Sequence, residues 1–172
     1  MSIQSVVHKS FLRNAGIVRR FSSTAETVLV NHIRDGVYTM SLARHDGKNS
    51  FSKAMITEFI DKVKLLHEDT SIRCLILKSD VPKVFCAGAD LKERLAMSES
   101  EVAPFVGVLR TALTLYAKLP FPTIAAVEGV ALGGGFELML ASDLRVGMCK
   151  YKYILRSIVM KINFKWPYFS NH

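Results

Sequence analysis

A run of three glycines between a short apolar segment and a helix-compatible one constrains the fold of this chain more than any other feature. Residues 123–127 (TIAAV) have the length and composition of a buried strand, and the triplet 133–135 precedes a helix-compatible segment at 136–141. Because glycine lacks a Cβ, a bound group can approach the backbone closely there. The unpaired N–H groups and positive dipole end of such a helix favour negative charge, so the turn is a candidate anion site.

Glu137 lies within the first turn of the helix that the glycines would open. A carboxylate next to an anion-stabilising turn is what proton transfer beside a carbonyl group requires. A glycine turn that only permits tight packing, with Glu137 as an ordinary acid at a helix start, explains the same residues equally well. Both interpretations stay open on this segment alone.

A second turn of small residues follows another apolar strand. Residues 72–78 (IRCLILK) predict the strand, and residues 86–89 (CAGA) leave the backbone accessible to an incoming group. A backbone N–H near Ala89 and another near Gly134 would form an oxyanion hole if they converged on one oxygen atom. One such donor contributes about 3 kcal/mol to the stabilisation of a transition state.

Two residues of this second turn also have simpler explanations. Asp90 is suited to cap the helix-compatible segment that follows it, as at any strand-end turn. Cys86 could act as a nucleophile, but no histidine is near it in the sequence, and a packed small thiol accounts for it. We therefore favour a structural role for Cys86.

The remaining segments alternate strands and helices. Residues 28–33 and 37–42 flank Asp35-Gly36, a common hairpin turn. Apolar residues recur at helical spacing over 55–66 and 102–116. Candidate helix caps precede both segments: Ser50 or Ser52 before the first, and the capping-box residues Ser98 and Glu101 before the second. The order of elements predicts an α/β fold.

Composition excludes several classes of protein. Of the 172 residues, 49% are hydrophobic and 22% are charged, which is typical of a single globular domain with a real core. The three cysteines are too few and too scattered for a disulfide framework or a zinc site. No apolar run is long enough to cross a bilayer. We therefore expect neither a metal nor a membrane span.

The net charge of +8 is concentrated at the two ends of the chain. Residues 1–25 contain four basic side chains and residues 148–172 contain five, with no acid in either segment. Residues 26–147 contain 14 basic and 15 acidic side chains, so the body is nearly neutral. The overall charge is thus no evidence that the folded part binds nucleic acid.

The first 25 residues have the composition of a mitochondrial presequence. They combine arginines, serines and apolar residues without an acid, and residues 19–23 (RRFSS) are a plausible processing region. A disordered basic arm is the alternative. Lys9 and Arg13 interrupt the apolar stretch that a secretory signal would need. We expect this segment to lie outside the fold.

Two segments together resemble the signature sequences of the crotonase superfamily, the enoyl-CoA hydratases and isomerases. They are FCAGADLKE at residues 85–93 and AAVEGVALGGGFELMLASDLRV at residues 125–146. The resemblance covers roughly residues 27–147 and is closest, over residues 88–110, to mitochondrial hydratases of the family. It implies an α/β fold, a crotonase-like spiral of repeated β-β-α units, which we expect to be incomplete at the C-terminus.

The resemblance also implies functional roles. The N–H groups of Ala89 and Gly134 would form the oxyanion hole, and Glu137 would be the first of two catalytic glutamates. Residues around the second turn would bind coenzyme A: Ala87, Ala89, Asp90 and Leu91. The substrate would be an acyl-CoA thioester, with no separate cofactor and no metal. The family further implies a homo-oligomer, a trimer or dimer of trimers, in the mitochondrial matrix, acting in acyl-CoA or leucine breakdown.

Beyond Gly147 the sequence departs from the family pattern. By counting, Ser157 occupies the position of the second glutamate, and residues 148–172 form a basic and aromatic tail that resembles unrelated sequence. A membrane-surface segment is a less favoured interpretation of the tail, because it has no clear amphipathic stripe. We therefore expect the chain as written to hydrate poorly, and exposed core residues to lower its stability.

Two other functions remain open at this point. An isomerase of the same family needs fewer acid groups than a hydratase. A non-catalytic protein that binds RNA is the alternative from another class, because four lysines fall on one predicted helix and its entry loop: Lys48, Lys53, Lys62 and Lys64. Acidic residues interleave with these lysines, which favours an ordinary solvated surface.

Overall fold

The computed structural model describes residues 26–147. The predicted presequence (1–25) and tail (148–172) lie outside the described residues. The strands are β1 (Val28–Arg34), β2 (Val37–Leu42), β3 (Cys74–Ser79), β4 (Val84–Cys86), β5 (Thr123–Val127), β6 (Val130–Ala131) and β7 (Leu144–Gly147). The helices are α1 (Lys53–Glu68), α2 (Leu91–Ala96), α3 (Glu99–Ala117) and α4 (Gly134–Leu140).

The hairpin predicted at Asp35-Gly36 is confirmed. β1 and β2 pair antiparallel, with Arg34 opposite Val37 across the two-residue turn. Both turn residues have positive φ, 47° at Asp35 and 78° at Gly36. This is the combination that a type I′ turn needs, and its twist matches the twist of the flanking strands.

Five strands form the main sheet, in the order β1-β2-β3-β5-β7. From β2 onwards every neighbouring pair is parallel, so each connection must cross back over the sheet, and each contains a helix. Asp143, the residue before β7, is bonded to the start of β5. Its carboxylate accepts the N–H and the hydroxyl of Thr123, both at 2.8 Å. The predicted α/β class is confirmed.

The two long helices begin at residues that satisfy their free N–H groups. The hydroxyl of Ser52 accepts the N–H of Met55 at 3.1 Å, so Ser52 rather than Ser50 caps α1. At the start of α3, the carboxylate of Glu101 accepts the N–H of Ser98 at 3.0 Å, as the capping-box prediction required. Pro104 falls in the second turn of α3, where its missing N–H removes one intrahelical hydrogen bond.

α1 and α3 pack together over the sheet through aromatic side chains. The ring of Phe59 on α1 lies 5.9 Å from that of Tyr116 on α3 and 6.4 Å from that of Phe51, centroid to centroid. The aliphatic side chains of this core are fully buried and come from every layer: Met40, Leu42, Met55, Ile56, Leu75, Leu77 and Leu138. The hydrophobic face predicted for each helix is therefore the one that packs.

A second, small sheet completes a threefold repeat. β4 and β6 pair parallel, and Phe51 forms an isolated parallel bridge with Ala89 beside them. Each unit is thus a long strand, a short extended segment and helical structure: β2, Phe51 and α1; β3, β4 and α2–α3; β5, β6 and α4. This agrees with the β-β-α repeat that the resemblance implied. The residue pattern alone missed β4 and β6, because elements of two or three residues show no periodicity. The helix-compatible segment after Asp90 is α2.

The edge strand β7 carries exposed apolar side chains. Leu144 is 55% exposed and Val146 is 65% exposed, although both belong to a strand of the main sheet. The loss of stability expected from the sequence for such exposed apolar residues stays a prediction. Among the helices in residues 26–147, none has the length and apolar character that a membrane span would need.

Candidate active site

The two glycine-containing turns predicted from the sequence lie against each other. The pairing of β4 with β6 brings their ends together, and the N–H of Leu132 donates to the carbonyl of Cys86 at 3.0 Å. Gly88 has φ +85°, and a Cβ built on it would lie 2.6 Å from Leu132 O and 3.3 Å from the nitrogen of Gly134. Only glycine permits this close approach, so the loop after β4 touches the start of α4.

At this junction the backbone N–H groups of Ala89, Gly133 and Gly134 have no hydrogen-bond acceptor within residues 26–147. The next N–H along each turn is paired: that of Gly135 donates to Leu132 O at 2.8 Å, and that of Asp90 donates to Phe51 O at 3.0 Å. Ala89 and Gly134 are both half-buried. Because unpaired donors in such a site cost free energy, an oxygen that accepts their hydrogen bonds would bind favourably.

The three positions of the triplet 133–135 differ in how strongly they require glycine. Gly133 has φ +47° and ψ −120°, a conformation that L side chains rarely adopt, and open space surrounds its Cβ position. At Gly134 a Cβ would lie 3.2 Å from the side chain of Leu109, a tight but adjustable contact. At Gly135 a Cβ would lie 2.4 Å from the carbonyl oxygen of Cys86, which no packing change can accommodate easily.

We therefore expect Gly135→Ala to destabilise the protein by about 1–3 kcal/mol, the range for overpacking a core. Gly107→Ala in α3 is the matched control, because no atom lies within 4 Å of the added Cβ. That change should stabilise the helix by about 0.4–1 kcal/mol. Denaturant unfolding of both variants measures the difference, and equal effects at the two positions would contradict the close contact at Gly135.

Glu137 is a buried carboxylate without a partner in the described part of the chain. Its side chain is 7% exposed, and no hydrogen bond or ion pair within residues 26–147 involves its carboxylate. Burial raises the pKa of Glu137 above its ordinary value, and the charge of Arg110 offsets part of that effect. Glu137 lies three residues after Gly134, so the two are neighbours on one face of α4. A buried, unpaired acid of raised pKa is suited to proton transfer.

The segment assigned to coenzyme A forms the loop between β4 and α2. Ala87 and Ala89 are half-buried, whereas Leu91 is 71% exposed at the start of α2. The carboxylate of Asp90 accepts the N–H groups of Lys92 at 3.0 Å and Glu93 at 3.3 Å, which caps α2. This is the helix-cap alternative. The backbone of Asp90 is bonded as well, since its N–H donates to Phe51 O at 3.0 Å and its carbonyl accepts the N–H of Arg94 at 2.9 Å. The binding of coenzyme A by these four residues stays a prediction.

Cys86 has a structural role. Its side chain is fully buried, and the thiol donates to the carbonyl of Asn49 at 2.9 Å. Burial raises the pKa of Cys86 to about 12, although a backbone hydrogen bond at Gly88 acts in the opposite direction. A thiol that stays protonated at neutral pH is a poor nucleophile. The packed-thiol interpretation is therefore the one that the structure supports.

The four lysines considered for RNA binding do not form an uncompensated positive surface. Lys53 pairs with Glu101 at 3.4 Å, and Lys62 pairs with Glu26 at 3.3 Å. Lys48 and Lys64 are exposed. Acidic partners reduce the attraction of such a surface for phosphate, and no observation in residues 26–147 favours RNA as a ligand. Residues 26–147 contain no group of three or more His, Cys, Asp or Glu side chains that could hold a metal ion.

The polar loop at residues 44–50 is the feature that sequence reasoning underestimated. Arg44 donates to the carboxylate of Asp90 at 2.7 Å, and Asn49, fully buried, donates to the carbonyl of Phe85 at 3.0 Å. Burial by itself would raise the pKa of Asp90, but the hydrogen bonds from Arg44 and the backbone outweigh it and lower that pKa. The contribution of the Asp90 carboxylate to the stability of the fold is thus fully present above the pKa that Asp90 has in the unfolded chain. This contribution is lost as pH falls through the lower pKa of the folded protein. No periodicity in the sequence marks Asn49 and Ser50 of this loop as buried.

Comparison with known proteins agrees with this geometry. The family model described as enoyl-CoA hydratase/isomerase matches residues 32–159. The mitochondrial methylglutaconyl-CoA hydratase of Homo sapiens is 46% identical over 132 residues, covering 75% of this chain and 39% of that protein. The mitochondrial enoyl-CoA hydratase domain-containing protein 2 of Bos taurus is 48% identical over 111 residues, covering 64% and 38%. A crystal structure of an enoyl-CoA hydratase from Bacillus anthracis superposes with a TM-score of 0.73 at 38% identity, covering 76% and 50%.

The chain therefore belongs to the enoyl-CoA hydratase/isomerase family, a class of enzymes, and it has the crotonase fold over the described residues. Within that family it is similar to mitochondrial hydratases. The chain spans 39% of the length of the human relative and half of the bacterial one. The position of Ser157, where counting placed the second glutamate, lies outside the described residues.

Proposed function

We propose that this chain is an enoyl-CoA hydratase, which adds water across the double bond conjugated to a coenzyme A thioester. The observation that carries the proposal is the junction of the two turns, where the N–H groups of Ala89 and Gly134 lack acceptors. The buried, unpaired carboxylate of Glu137 lies one helical turn further on. The names of the human and bovine relatives support the same activity.

The proposed chemistry uses two kinds of group, hydrogen-bond donors for an oxyanion and a residue that transfers protons. The oxygen of water bonds to the β-carbon while the electrons of the double bond move towards the thioester oxygen, giving an enolate. The α-carbon then takes a proton, so that the product contains all atoms of the water. The N–H groups of Ala89 and Gly134 stabilise the enolate oxygen without reorganising. Glu137 removes or delivers a proton of the water.

The substrate class follows from the relatives and from the loop between β4 and α2. We propose an acyl-CoA of mitochondrial acyl-CoA or leucine breakdown, in the matrix, because the relatives are named as mitochondrial hydratases. The backbone around Ala87, Ala89, Asp90 and Leu91 would contact the coenzyme A part of the substrate, so that no separate cofactor is needed. A homo-oligomer, a trimer or a dimer of trimers, is the assembly that family membership supports.

Isomerisation of a 3-enoyl thioester is the second candidate. A proton shift between two carbons can use a single carboxylate, and Glu137 is the unpaired buried carboxylate of the described residues. Because Ser157 takes the counted position of a second glutamate, we expect hydration to be slow. The two reactions share the enolate and its N–H donors. They differ in whether water adds to the β-carbon or a proton moves from the α-carbon to the γ-carbon.

One absorbance assay distinguishes the candidates. Hydration of crotonyl-CoA removes the conjugation of the thioester, so the near-ultraviolet absorbance of the enoyl group falls. Isomerisation of a 3-enoyl-CoA creates that conjugation, so the absorbance rises. We expect the purified chain to lower the absorbance of crotonyl-CoA above the buffer control. A rise with the 3-enoyl ester alone would favour the isomerase, and no change with either ester would refute both.

A further inference from the structure

The loop of residues 44–51 is bonded to the loop that carries Ala89 at successive positions. The N–H of Ala87 donates to the carbonyl of Lys48 at 3.1 Å. The N–H of Phe51 donates to the carbonyl of Gly88 at 2.7 Å. The carbonyl of Phe51 in turn accepts the N–H of Asp90 at 3.0 Å. The peptide groups on both sides of Ala89 are therefore held by one residue, Phe51.

This contact sets the direction of the Ala89 N–H. The carbonyl of Gly88 and the N–H of Ala89 belong to the same peptide group, which is planar and trans. In a trans peptide the C=O and N–H bonds point in opposite directions. Because the Gly88 carbonyl points at Phe51, the Ala89 N–H must point away from the loop of residues 44–51.

Arg44 orients the peptide group between Ser50 and Phe51, whose N–H donates to the carbonyl of Gly88. Its Nη1 donates to the carbonyl of Ser50 at 2.8 Å, and that carbonyl shares a peptide plane with the N–H of Phe51. The same Nη1 donates to the carboxylate of Asp90 at 2.7 Å, and the hydroxyl of Ser50 donates to that carboxylate at 3.2 Å. The guanidinium of Arg44 thus links Ser50, in the loop of residues 44–51, to Asp90, in the loop that carries Ala89.

We propose that Arg44 is a positioning residue, which orients the Ala89 N–H through the peptide planes 50–51 and 88–89. The inference rests on the proposed function, since it assigns Ala89 to the oxyanion hole. The side chain of Arg44 is 18% exposed and that of Asp90 is 9% exposed, so the pair is shielded from screening by salt. A charge-assisted bond at 2.7 Å between such groups is geometrically specific.

The test uses a ligand that reports enolate stabilisation directly. Acetoacetyl-CoA absorbs in the near ultraviolet as its enolate, so the absorbance of the bound ligand at one pH measures how well the site stabilises that oxygen. We expect Arg44→Met to lower the enolate fraction of bound acetoacetyl-CoA about 10-fold, since small misplacements of a donor have large effects. The dissociation constant should change by less than about 2-fold. With crotonyl-CoA, kcat should fall and KM should not.

Two further variants make the result decisive. Asp90→Asn keeps the shape of the side chain and removes the charge, and it serves if Arg44→Met does not fold; its enolate fraction should also fall. Lys62→Met is the matched control, because it breaks a distant ion pair with Glu26 and should leave the enolate fraction unchanged. The inference is overturned if Arg44→Met and Asp90→Asn lower stability or affinity but not the enolate fraction. If the wild-type chain does not bind acetoacetyl-CoA, the proposed function itself fails.

Discussion

Gly134→Pro is expected to lower kcat/KM for enoyl-thioester hydration by about 10²- to 10³-fold, the usual effect of removing one oxyanion-hole donor. Proline has no N–H, so this change removes the proposed donor without a change in side-chain charge. Gly134 is the first residue of α4, a position where proline fits and where no intrahelical hydrogen bond is lost.

Gly134→Ala is the control for this change. Alanine keeps the N–H and adds a Cβ at the same place as proline, 3.2 Å from the side chain of Leu109, so it controls for the contact of the Cβ but not for the Cδ that proline places where the N–H proton was. We expect the alanine variant to lose far less activity than the proline variant. Steady-state kinetics with crotonyl-CoA measures both. Equal losses in the two variants would show that space, and not the N–H, matters at Gly134.

Glu137→Gln is expected to lower the hydration rate by about 10²- to 10⁴-fold, the contribution of a positioned general acid or base. The amide keeps the size of the carboxyl group but cannot transfer the proton. We expect KM to change little, because the thioester is bound mainly through other groups. A variant that hydrates crotonyl-CoA at the wild-type rate would exclude Glu137 from the chemistry.

The same substitution should not destabilise the protein at neutral pH. Burial raises the pKa of Glu137, so the folded protein holds the proton more tightly than the unfolded chain. Wild-type stability therefore falls as pH rises from the unfolded-state pKa through the folded one. The glutamine variant lacks this loss and should be at least as stable above that window. Thermal unfolding of both proteins across the window measures the difference; a clearly less stable glutamine variant would show that the carboxylate has a stabilising partner.

Local patterns predicted the long elements well. The hairpin at Asp35-Gly36, the caps at Ser52 and Ser98, and the buried strand at 123–127 are all present as predicted. Each depends on turn chemistry, capping or periodicity within a few neighbouring residues. The short strands β4 and β6 were missed, because two or three residues form a strand only when a partner is supplied from elsewhere in the chain.

The candidate site divides in the same way. Its glycines and Glu137 were recognisable from residue type, since only glycine tolerates the close contacts at Gly88 and Gly135. The importance of Arg44 was not recognisable, because its partner Asp90 is 46 residues away and no pattern connects them. For Cys86 the sequence favoured a structural role, and the folded chain supports it, because the thiol is fully buried.

The sequence by itself determined which backbone positions can be bare, which segments are strands or helices, and to which family the chain is similar. These properties depend on single residues and their near neighbours. Only the tertiary structure decided that the turns at Gly88 and Gly134 touch, that Glu137 is buried, and that Arg44 supports the loop carrying Ala89. The physical reason is that burial and hydrogen-bond partners are set by contacts between distant segments.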